Sequence, residues 1–120
     1  MYTQLAKERG LLALPHLVEA AKRRELLTYK QLAAKVGCHH RALSFPLGYI
    51  RDDICRARGL PMLTAIVINQ GLKRPGGSWL PEGTDQLSPP QNRLRFEAEC
   101  ERVFACQEWD KLLDEVGLGQ

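Results

Sequence analysis

The chain has 120 residues, of which 44% are hydrophobic and 26% charged, and its formal net charge is +3. That is room for one compact domain with its own core and little else, and the balance of apolar and charged residues excludes wholesale disorder. No stretch reaches the roughly 18 uninterrupted apolar residues of a membrane span. The N-terminus, MYTQLAKERG, is charged where a secretory signal would be apolar. The expectation is a single cytoplasmic domain over 1–120 with no membrane association.

Within 4–24, apolar residues recur at Leu5, Leu11, Leu12, Leu14, Leu17, Val18 and Ala21. This spacing predicts an amphipathic helix from Leu14 onward, with Pro15 in its first turn and Gly10 setting off a short leading turn. Lys22-Arg23-Arg24 closes the helix, where cations suit the negative end of the dipole. Thr28 reads as the N-cap of a short helix over Tyr29–Val36, and Gly37 as its left-handed C-terminal residue. A second helical pattern starts at His39 or His40 and runs to Arg58, before Gly59. Pro46 predicts a kink or restart near Phe45. Two helices joined by a glycine-containing turn, the first of them short, form the pattern of a helix-turn-helix.

The apolar, β-branched run over 62–68 predicts a buried strand. Turn chemistry follows in Asn69-Gln70-Gly71, then a basic, glycine-rich loop over 73–79, then an irregular connection over 81–90. A helical pattern resumes over 94–113, with Glu97, Glu99 and Glu101 suited to a helix start and a break near Cys106-Gln107. The expected fold is α+β: a winged helix-turn-helix core with a small β-hairpin over about 27–80, flanked by an N-terminal helix and a C-terminal helical segment over about 92–116.

The net charge conceals an asymmetry. Residues 1–76 carry thirteen Lys and Arg against five Asp and Glu, whereas 77–120 carry four against nine. Clustered positive charge of this kind attracts phosphate backbones, unless the acidic segment packs beside it and neutralises it. Lys30, Lys35, Arg51, Arg56 and Arg58 are candidate phosphate contacts, with Lys73 and Arg74 on the expected wing better placed. Asp52 and Asp53 sit among them and work against a uniformly basic face.

Cys38, Cys55, Cys100 and Cys106 show no CxxC spacing, and Cys38-His39-His40 places adjacent residues that rarely point at one ion. Neither a metal nor a cofactor is expected. Motifs for phosphate loops, serine hydrolases and zinc proteases are absent from the sequence, and adjacent Asp52 and Asp53 splay apart on a helix.

The series Thr28-Tyr29-Lys30-Gln31-Leu32-Ala33, Gly37, Arg41-Ala42, Leu47-Gly48, Leu60-Pro61, Val67-Ile68-Asn69, Gly71 and Gly76-Gly77-Ser78-Trp79 resembles the winged-helix DNA-binding domain of the O6-alkylguanine DNA alkyltransferases and their alkyltransferase-like relatives. The resemblance covers about 27–80. It implies that Tyr29 lies near DNA phosphate and that Arg41 enters the duplex where a base is extruded. It also exposes a departure. Where the family carries Pro-Cys-His-Arg, or Pro-Trp-His-Arg in its non-catalytic members, this chain has about Leu63-Thr64-Ala65-Ile66. No thiol stands at the acceptor position and no histidine beside it, so self-alkylating repair is not expected.

The reading that follows is a non-enzymatic module binding duplex DNA through Tyr29, Lys30, Arg41, Lys73 and Arg74. The alternative is a protein-interaction domain, of the immunity, antitoxin, phage-inhibitor or adaptor kind, that keeps the fold without binding DNA. A C-terminal helix exposing Phe104 or Trp109 would offer a route to dimerisation.

Overall fold

The computed structural model describes residues 2–69 and 87–118. It is mostly helical, with a two-stranded parallel sheet, in keeping with a loose α+β class. Helix α1 spans Gln4–Lys22 and is capped by Thr3, whose hydroxyl accepts the Ala6 N–H. Strand β1 (Leu27–Thr28) leads into α2 (Tyr29–Val36). A continuous helical run follows, as a 3-10 turn over His40–Leu43, helix α3 over Ser44–Tyr49, a π-helical stretch over Ile50–Cys55 and a last 3-10 turn over Arg56–Arg58. A 3-10 turn over Leu63–Ile66 then delivers β2 (Val67–Ile68). Helices α4 (Pro89–Ala105) and α5 (Trp109–Glu115) complete the described chain.

Local signals account for much of this. Thr28 and Gln31 form a reciprocal capping box: the Gln31 N–H donates to the threonine hydroxyl, and the Gln31 side chain accepts the Thr28 N–H. Gly37 ends α2 at φ 87°, as expected. The expected restart near Phe45 is also present. Pro46 falls in the first turn of α3, where a missing N–H leaves no helical bond unmade.

Four expectations are corrected. Helix α1 runs unbroken through Gly10 and Pro15, so neither marks its beginning. Gly10 is there for closeness: an added Cβ would stand 2.8 Å from the Tyr49 ring and 3.1 Å from the Pro46 carbonyl oxygen. The run over 62–68 is a strand only at Val67–Ile68. Its first part folds as a buried 3-10 turn, because the β-branched residues were selected for burial in the core and not for a sheet. The observed strand partner is Leu27–Thr28, in parallel register Leu27 to Val67 and Thr28 to Ile68, so this pair is not a hairpin. The expected wing, with Lys73 and Arg74, lies outside the described residues.

The fourth correction concerns the C-terminal segment. Helix α4 begins at Pro89, because Ser88 and Gln91 form a second capping box and the prolines occupy the first turn. The break expected near Cys106-Gln107 is present and separates α4 from α5. Trp109 turns inward across that break, is 2% exposed, and donates its indole N–H to the Val103 carbonyl at 2.9 Å. It is therefore a core anchor and offers no surface for dimerisation.

The core is organised around α1, whose Ala13, Leu14, Leu17 and Ala21 are fully enclosed. They pack in one cluster with Leu32, Ile50, Ile54, Leu63, Ile66, Val103 and Leu112. Gly10→Ala tests the α1–α3 seam. Alanine raises helix propensity by about 0.8–1.0 kcal/mol, yet overpacking against a backbone carbonyl costs about 1–3 kcal/mol. The expected outcome is a lower melting temperature, read by circular dichroism.

Candidate nucleic-acid interface

A cleft of about 250 Å³ opens between the start of α2, the helical run from His40 and the turn before β2. Its walls are Tyr29, His40, Arg41, Leu43, Ser44, Leu47, Gly48 and Thr64. Tyr29 is the first residue of α2, half-buried against the core cluster. Arg41 is exposed on the 3-10 turn. Thus two residues twelve positions apart in sequence, Tyr29 and Arg41, meet in one concavity. Lys30 is exposed on α2 and acts electrostatically on His40. Thr64, from the segment aligned with the family's acceptor motif, forms part of the same wall.

Sequence reasoning missed His40 as a cleft residue. Its ring stacks on that of His39, with centroids 4.3 Å apart, and makes no hydrogen bond among the described residues. His39 in turn caps the 3-10 turn, its Nδ1 accepting the Arg41 N–H at 3.1 Å. That bond leaves the His39 proton on Nε2 when the ring is neutral. His40 titrates below the usual imidazole range, first through lost hydration and then through the positive charge of His39, Lys30 and Arg41. No carboxylate among the described residues contributes.

Glu99 was missed as well. It lies in the middle of α4 and not at a helix start, and it is 1% exposed. Its carboxylate accepts the Met62 N–H at 2.7 Å and pairs with Arg95 and Arg102 on either side along α4. This anchor fixes the entry to the Leu63–Ile66 turn and hence Thr64 in the cleft wall. A sequence signal existed in the flanking arginines at i−4 and i+3, but such pairs ordinarily sit on solvent faces.

The acidic C-terminal segment neutralises part of the basic one. Lys22 pairs with Asp110 at 3.0 Å, Arg24 with Glu101 at 2.9 Å and Arg58 with Glu115 at 3.2 Å. The Arg24 guanidinium also lies over the Phe104 ring, 5.3 Å from its centroid. Arg51 binds Asp52 within the tight group that Tyr2 completes, its hydroxyl donating to Asp52 at 2.5 Å. Arg51 and Arg58, both candidate phosphate contacts, are thus held in ion pairs. Lys30, Lys35 and Arg41 form no ion pair among the described residues.

Family models, curated proteins and solved structures give no match to this chain.

The Cys55 and Cys100 thiols are buried and pushed up to about 12 by desolvation, so neither supplies a thiolate near neutrality. Ser44 and His40 line the cleft without a hydrogen bond between them. No group of three or more His, Cys, Asp or Glu among the described residues is arranged to hold a metal ion.

Two outcomes follow. By proton NMR, the His40 midpoint falls below 6.5, the ordinary imidazole value, and Lys30→Ala or Arg41→Ala raises it. The imidazolium is then less repelled, so the neutral form persists to lower pH in the unmodified chain than in either variant. Separately, Glu99→Ala removes the acceptor of the part-buried Met62 N–H and destabilises the fold by about 1–3 kcal/mol, whereas Glu99→Gln keeps an acceptor and costs less. Urea denaturation measures both.

Proposed function

We propose that this chain is a non-enzymatic nucleic-acid-binding module of winged-helix type, with the Tyr29–Arg41 cleft at the centre of its contact surface. The observation that carries this reading is that the cations at the cleft are not among those paired by the acidic segment. Lys22, Arg24 and Arg58 are paired with acids of α4 and α5, whereas Lys30 and Arg41 are left at the cleft without an acidic partner among the described residues. Unpaired cations beside a concavity suit a phosphate backbone. The resemblance to the alkyltransferase-like domains supports the same surface, since Tyr29, Arg41 and Thr64 occupy one cleft. A threonine at the acceptor position fits recognition without alkyl transfer, because an alcohol lacks the thiolate that such chemistry uses. Lys73 and Arg74 would extend the surface on the wing.

A second reading has its own support. Leu5 and Leu12, two turns apart on one side of α1, are 53% and 57% exposed, and they suit the alternative of a protein-interaction domain.

Fluorescence anisotropy with a labelled random duplex of about 20 base pairs separates the two. The nucleic-acid reading expects low-micromolar binding at low salt, weakening steeply as salt rises. Lys30→Ala combined with Arg41→Ala should weaken binding and flatten the salt slope by about 2, one unit for each phosphate no longer neutralised. Absence of binding to the duplex and to its separated strand at tens of micromolar at low salt would overturn it and leave the protein-interaction reading.

A further inference from the structure

Phe45 is the most exposed large apolar side chain among the described residues, at 71%. It stands one residue beyond Ser44, which lines the cleft, and four beyond Arg41 along the same helical run. A phenylalanine in that position contributes nothing to the core, and its ring face is open to water. The cleft that begins at its neighbour Ser44 is cationic and aromatic, lined by Tyr29, His40 and Arg41, with His39 stacked on His40. Asp52, about two turns further along, is occupied by Arg51 and Tyr2.

We infer that Phe45 is a base-stacking residue, and that the preferred ligand of this surface is nucleic acid with unstacked bases, either single-stranded or locally unpaired. An intact duplex buries its base faces against one another, so an exposed ring gains contact there only by wedging a step open, at a cost of a few kcal/mol. A gap or single strand presents a free base face at no such cost, and aromatic stacking on it is tolerant of sequence. Cations hold the backbone while the ring takes the base, a division of labour that neither feature performs alone. The inference rests on the nucleic-acid reading above and narrows it to a substrate class. Charge complementarity favours this occupant over a protein partner, because the cleft beside Ser44 is lined by Arg41 and His40 and by no acidic side chain among the described residues.

The test compares three labelled probes of equal length with the full chain: an intact duplex, the same duplex with a short central single-stranded gap, and the single strand alone. The unmodified protein is expected to bind the gapped and single-stranded probes about tenfold or more tightly than the duplex. Phe45→Ala should abolish that preference while changing duplex affinity by no more than about twofold, and Phe45→Trp should retain it. Because the side chain is exposed, both variants should melt with the parent protein. Equal affinity for all three probes, or an equal weakening on all three in Phe45→Ala, would overturn the inference while leaving nucleic-acid binding intact. Failure of the unmodified protein to bind any probe would overturn both.

Discussion

The cleft depends on a carboxylate that never reaches it. Glu99 is buried on α4, yet the group that it satisfies, the Met62 N–H, belongs to the segment entering the Leu63–Ile66 turn. A buried carboxylate is tolerable only when charge and hydrogen-bonding capacity are both met. Arg95 and Arg102 meet the first from the rim of the helix, and the backbone N–H contributes to the second. In return, the turn is held in a register that puts Thr64 against the cleft and Val67–Ile68 beside β1. Helix α4 is therefore part of the foundation of the site, although its sequence reads as an appendage to it.

The opposite wall is set first by closeness. Gly10 and Gly48 each lack a Cβ where one would collide with a neighbour: Tyr49 and Pro46 in the first case, the Tyr2 phenol in the second. The two glycines let α1 and α3 approach until Tyr2 reaches Asp52. There the Arg51 guanidinium holds the Asp52 carboxyl below its usual range, while burial and Asp52 push the Tyr2 phenol up. The helical run carrying His40, Arg41 and Phe45 thus has its far end fastened to the N-terminal turn. One wall is secured by a hydrogen-bonded anion, the other by missing methyl groups.

What the sequence disclosed is what neighbouring residues decide among themselves. Thr28 with Gln31, Gly37, Gly59 and the placement of Pro46 are local steric and capping problems with local answers, and they outline α2 and the run that follows it. The juxtaposition of Tyr29 with Arg41 was reached only through resemblance to a family, since nothing in their spacing requires it. The parallel pairing of Leu27–Thr28 with Val67–Ile68 joins residues 40 positions apart, and two-residue strands leave no alternation to read. The burial of Glu99 was illegible for a related reason: the same Arg-Glu-Arg spacing describes a solvated helix face unless a distant N–H comes to meet it. Gly10 was misread because glycine's commoner use is punctuation, and here it serves packing.

The ion pairs between the two halves of the chain also bear on how a polyanion would arrive. A cation beside its counterion acts at a distance as a weak dipole, and at physiological salt that field has largely decayed within about 8 Å. Lys22, Arg24 and Arg58, three of the thirteen cations of the first half, therefore contribute little to long-range attraction. Lys30 and Arg41 keep their full monopoles. The acidic segment would in this way mute the field of the sides it covers, leaving the cleft among the surfaces whose field still draws a diffusing anion. The negative tail of a positively charged protein then contributes direction to the encounter.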